Sequence, residues 1–181
     1  MSQAQDYADV HRRSQTRLHA LADALADDAF NRKPAPDAWS VGECVEHLNR
    51  VADGYLAVIE PAVAAGARRA EGPFEYGFLA RKLSGAVRPG GPALTTSAPL
   101  DPSAGGARSS IDKAAALAAF DGGVERYVAA CERAEGLDLR RIKVRYPFGP
   151  LLRLPLGAAL QFTGLHALRH VAQAERAAAS G

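Results

Sequence analysis

Four stretches of this chain repeat their apolar residues at steps of three and four, a period that dictates helices with one face to bury. In the first, Tyr7, Val10, Ser14, Leu18, Leu21 and Leu25 share a stripe that stops before Asn31 to Pro36. The second opens at Ser40, which with Glu43 three residues on forms a capping box. It continues through Val41, Cys44, Val45, Leu48, Val51, Tyr55, Val58 and Ile59, and Pro61 is where a kink could form. The third runs from about Ile111 to Glu135 with Leu117, Phe120, Val124, Tyr127, Val128 and Cys131 on one side and Gly136 as its stop, although Gly122-Gly123 weakens it. The fourth starts at Pro155 and carries Leu156, Leu160, Thr163, Ala167, Val171 and Ala174. These segments predict an all-α fold: a four-helix bundle forming a single domain over residues 1–181.

Two connections depart from the pattern. Between Gly66 and Ser110 the chain is rich in Gly and Pro, and a stretch of that length reads as a crossover that lets helices two and three run parallel. Its Phe74, Tyr76 and Phe78 are expected to pack near the mouth of a site. In LRRIKVRYPFGPLLRLP, Ile142, Val144 and Tyr146 alternate with Arg141, Lys143 and Arg145, which fits one short extended segment.

Composition excludes several function classes. With 22 Lys and Arg against 20 Asp and Glu there is no global field to favour nucleic acid or a membrane surface. Arg140, Arg141, Lys143, Arg145 and Arg153 make a local basic stretch that reads as a solvated edge. No apolar run reaches the roughly 18 residues that a transmembrane helix needs. Two cysteines, Cys44 and Cys131, and a polar N-terminus point to a reducing cytoplasm. Both thiols lie on apolar faces and read as packing residues.

The chemistry sits in the histidines. In GLHALRHVAQ, His166 and His170 are four residues apart, so a helix projects both from one face, the spacing that chelates a metal from a single helix. His47 lies at the edge of the apolar face of helix two, where its ring can reach inward as a third ligand. Three neutral imidazoles with open positions for water or substrate make a common catalytic metal arrangement. The bland alternative is that each is a core histidine satisfied by a carbonyl or a hydroxyl such as Thr163. Glu43 is accounted for by its capping role, His11 is the reserve ligand, His19 points elsewhere, and Gln173 could hydrogen-bond a ligand or be solvated. A di-iron bundle would need inward carboxylates and E-x-x-H motifs, and haem would need ligands on opposite faces of its iron; neither pattern is present.

The run DAWSVGECVEHL, with the late LHALRHVAQ, resembles the DinB-like or YfiT-like superfamily of small bacterial metalloproteins. The resemblance implies an up-down-down-up four-helix bundle, a homodimer, and a divalent metal bound by one His of helix two and the H-x-x-x-H pair of helix four, here His47, His166 and His170. Such a site accepts Zn, Ni, Co, Fe or Mn. The activities that the resemblance implies include thiol S-transfer with low-molecular-weight thiols, thiol-dependent isomerisation and metal-dependent hydrolysis. The position next to His166 that is Glu in H-E-x-x-H hydrolases is Ala167, and Glu46 faces away from the His47 side. The expected activity is therefore transfer of a metal-activated thiol to a small-molecule substrate, with a hydrolase or a non-catalytic binding module as alternatives, and with no nucleic acid or membrane partner.

Overall fold

The computed structural model describes residues 2–92, 96–103, 110–149 and 151–180; part of the expected crossover, residues 93–95 and 104–109, lies outside them. Among the described residues the helices are α1 (Gln3–Asp23), α2 (Asp27–Phe30), α3 (Val41–Ala64), α4 (Phe78–Ala86), α5 (Lys113–Arg133) and α6 (Leu156–Ala179). A 3-10 turn covers Ala98–Leu100, and β1 (Lys143–Arg145) pairs antiparallel with β2 (Arg153–Pro155).

The long helices start and stop where local chemistry directs. The Ser40 hydroxyl accepts from the Glu43 amide at 3.1 Å while the Glu43 carboxylate accepts from the Ser40 amide at 2.8 Å, satisfying two amides that α3 would otherwise leave unpaired. Asp112 caps α5 through the Ala115 amide. Gly136 follows α5 with φ of 72°, the left-handed conformation that glycine adopts without penalty. Pro61 lies inside the last turn of α3, which continues to Ala64, and α5 continues through Gly122 and Gly123.

α1, α3, α5 and α6 pack as a bundle in which α1 and α3 each lie against both α5 and α6. Polar pairs give the directions. Asn49 bonds the Ala116 carbonyl and Glu60 pairs with Arg126, so α3 and α5 advance together. Gln15 and His19 meet Asp121 while Arg12 meets Glu132, so α1 and α5 run oppositely. His47 faces His166 and Tyr55 faces Phe162, so α3 and α6 also run oppositely.

The core forms two apolar clusters stacked along the bundle. One surrounds Tyr55, Leu56, Ile59, Leu156 and Leu160, and the other Leu18, Phe30, Val45, Phe120 and Val171. Along α3, His47 falls where the second gives way to the first, and along α6 His166 does the same. Each fully buried aliphatic side chain contributes about 1.5–3 kcal/mol, so the clusters hold this polar layer in place.

Three features differ from the sequence reading. The Gly- and Pro-rich crossover contains a helix, α4, which packs on α6. Its aromatic trio is not at a site mouth. Tyr76 is buried against the core, with its hydroxyl 3.0 Å from that of Tyr7, Phe74 is tied to Gln3, and Phe78 is 72% exposed. The basic segment contains a hairpin, because Leu154 turns inward opposite Val144 and gives β1 a partner.

Candidate metal centre

Antiparallel packing of α3 on α6 brings the three expected imidazoles together. Their candidate ligand atoms all lie within 4.8 Å of one another, and the Nε2 atoms of His47 and His166 are 3.3 Å apart. Two nitrogens each about 2.0–2.1 Å from one tetrahedral ion stand about 3.3 Å apart, so the spacing fits a shared metal. Ring centroids are 4.5 Å apart for His47 with His170 and for His166 with His170.

The outward nitrogens carry the remaining information. His47 Nδ1 donates to the Leu100 carbonyl at 2.8 Å, which fixes its tautomer and leaves Nε2 with a lone pair facing the cluster. The Nδ1 atoms of His166 and His170 are buried with no hydrogen-bond partner among the described residues. Gln173 lies beside His170 on the cavity wall and acts on its ring. A divalent cation held by the three imidazoles would use lone pairs that otherwise face one another. The donor set therefore fits a metal.

Electrostatics favour the neutral, ligating form of each ring. Burial, then mutual repulsion with the other imidazoles, pushes His166 down to about 3 and His170 down to about 2. Burial also lowers His47, against the Leu100 carbonyl, which acts the other way. Aromatic rings enclose the cluster: Trp39 stacks over His170 at 5.7 Å and Phe162 lies 5.6 Å from His166 at 13°.

The cluster opens into a cavity of about 620 Å³. The crossover does reach this site, though some twenty residues after Phe78. Its 3-10 turn brings the Leu100 carbonyl to His47 and Asp101 to the cavity wall. The Asp101 carboxylate accepts from the Ser103 hydroxyl at 2.6 Å and amide at 2.9 Å, and the Trp39 indole acts on it as well; these bonds hold it below the usual carboxylate range. Arg169, between His166 and His170 on α6, donates to the Ala86, Arg88 and Pro92 carbonyls and straps the end of α4 to the bundle.

The other singled-out residues fall outside the cluster. His11 is stacked on Tyr127, His19 bonds Asp121 at 2.7 Å, and Glu43 adds to its cap an ion pair with Lys33 at 3.1 Å. Cys44 and Cys131 are buried thiols pushed up to about 12, unsuited to nucleophilic work.

The sequence reading missed Trp39, Leu100, Asp101 and Arg169, together with the hairpin aromatics Tyr146 and Phe148. Trp39 had a usable signal, since it is the only tryptophan and directly precedes the α3 cap. Leu100 acts through its backbone, and no residue type marks such a role.

The DinB superfamily profile matches residues 11–174, which takes in α1 from His11, both metal-site helices and the crossover. The chain belongs to the DinB superfamily. No curated protein and no solved structure matches it. Among the described residues, no helix of this DinB-superfamily chain is long and apolar enough to cross a membrane.

Proposed function

We propose that the chain holds a divalent metal ion at His47, His166 and His170 and transfers a low-molecular-weight thiol to a small electrophile. The observation that carries this reading is an all-imidazole cluster, its candidate ligand atoms within 4.8 Å of one another, on the wall of a cavity large enough for two small reactants. A cation held by three neutral ligands keeps its full charge and supplies Lewis acidity that lowers the pKa of a coordinated thiol or water. The chain's own residues do the rest. The Leu100 carbonyl orients His47, Trp39 and Phe162 shield the imidazoles from water, and Arg169 holds the crossover beside the cavity.

In the transfer, sulfur forms a bond to the acceptor carbon. The displaced pair leaves with a leaving group or moves onto the adjacent carbon, and the thiol proton passes to water or to that carbon. Asp101 is a carboxylate on the cavity wall that could serve a hydrolase, but its Oδ1 accepts from both the Ser103 hydroxyl and amide and its pKa is lowered, so it is a poor proton acceptor. This supports thiol transfer over hydrolysis. The same reading takes the bundle as up-down-down-up, in keeping with the polar pairs between its helices, and the working unit as a cytoplasmic homodimer acting on a small molecule.

The test incubates metal-loaded protein with a panel of cellular thiols and a generic electrophile across pH, with and without chelator. Thiol consumption that needs the metal and persists below about pH 8.5, the pKa of a free thiol, supports the proposal. Metal-dependent cleavage of esters or amides without thiol consumption would replace it with the hydrolase reading.

A further inference from the structure

The cavity has two chemically unlike halves, and the opposed directions of α3 and α6 create them. Along α6 the wall runs from Phe162 through His166 and His170 to Gln173, a rise of roughly 16 Å. Along α3 it runs the other way, which sets Tyr55 level with Phe162 at 5.5 Å between rings, and His47 level with His166 and His170. The imidazole cluster therefore stands between the halves.

At the Phe162 end the wall is aromatic. Tyr146 and Phe148, brought by the β1–β2 hairpin, meet Tyr55 edge-on at 6.2 and 5.8 Å and each other at 5.9 Å. Phe148 can lie this close to α3 only because residue 54 is glycine, where a Cβ would stand 2.5 Å from its Cζ. Phe148 and Phe162 are only partly buried, so both offer ring surface to the cavity. The opposite end is polar, with Asp37, Ser97, Asp101 and Gln173 around Trp39.

We propose that the aromatic half is the acceptor subsite, built for an uncharged, planar aromatic or conjugated electrophile seated beside His166, while the polar half takes the hydrophilic thiol. This assignment rests on the thiol-transfer reading above and names its substrate class. Flat rings complement an edge-on aromatic wall better than saturated rings of the same size. None of the aromatic side chains of that half carries a charge, and Arg169 on the cavity wall is engaged by the Ala86, Arg88 and Pro92 carbonyls, so that half offers ring surface and no charged partner of its own.

The test uses two neutral probes of matched size, benzyl alcohol and cyclohexylmethanol, titrated calorimetrically into the full chain with and without zinc. The aromatic probe should bind about five-fold more tightly than the saturated one. Phe148→Ala and Gly54→Ala should each remove that preference while bound zinc stays constant. Equal affinities for the two probes, or a preference unchanged in Phe148→Ala with the protein folded, would overturn the subsite. A preference seen equally in zinc-free protein that fails to take up zinc would support the subsite while sinking the metal reading, so the two claims fail separately.

Discussion

His11 and the His47–His166–His170 cluster are both buried between the apolar clusters of the bundle, but their surroundings differ. His11 is alone, 1% exposed, stacked on Tyr127 at 4.4 Å and 11°, with the Thr163 hydroxyl 3.4 Å from its Nε2 and the Leu160 backbone as a further partner. Across α6, three imidazoles meet on a cavity wall with two of their Nδ1 atoms unpaired. Burial drives His11 and His166 alike down to about 3. A suppressed pKa therefore does not distinguish a site from a core residue. Convergence and an open face do.

The largest effect that could break this contrast is on metal affinity. His47→Ala, His166→Ala and His170→Ala should each weaken zinc or nickel binding by more than about 100-fold, the upper end of what losing an outer-shell partner does. His11→Ala and His19→Ala should leave it unchanged in competition with a chelator. Trp39, the only tryptophan, stacks over His170, so quenching of its fluorescence by nickel offers a second readout.

Stability should divide the other way. His11→Ala truncates a fully enclosed ring and should lower urea stability by about 2–4 kcal/mol while metal uptake persists. Were His11→Ala to lose the metal with its fold intact, the division between the two regions would collapse.

Acid sharpens the comparison. For His11, His166 and His170 the folded-state pKa lies below the ordinary 6.5, so each contributes stability present above 6.5 and lost as pH falls from there toward about 3 for His11 and His166 and about 2 for His170. Metal-free protein should melt progressively lower over that window. Because the ligands are already neutral, zinc affinity of the folded protein should change by less than about ten-fold between pH 7.5 and 5.5, whereas three exposed histidines would each compete with a proton below 6.5. A steep fall across that range would contradict the buried geometry.

The smallest effect belongs to Glu43. Its carboxylate serves the Ser40 amide and Lys33, so Glu43→Gln should reduce stability by about 0.5–1 kcal/mol and leave metal binding and activity intact. A selective loss of activity would mark it as a functional group after all.

What was legible in the sequence followed from period and capping. The α3 start at Ser40 and Glu43, the start of α6 after Pro155 and the H-x-x-x-H pair on α6 are local patterns, and packing left them intact. The third imidazole was legible too, because His47 sits at a fixed offset from an apolar face. Long-range closure was not. Nothing local says that the crossover meets His47 through the Leu100 carbonyl instead of through Phe74 to Phe78, or that Tyr76 packs against the core. The hairpin was half visible because Leu154 needs its partner Val144 before its inward position means anything.

The central claim is that three converging imidazoles hold one metal ion, and the most direct measurement is the metal content of untagged protein purified without added metal, alongside His166→Ala. About one divalent ion per chain is expected in the parent protein and close to none in the variant. A folded variant with the parent's full metal content, or a parent that neither retains nor takes up zinc, nickel, cobalt, iron or manganese, would contradict it.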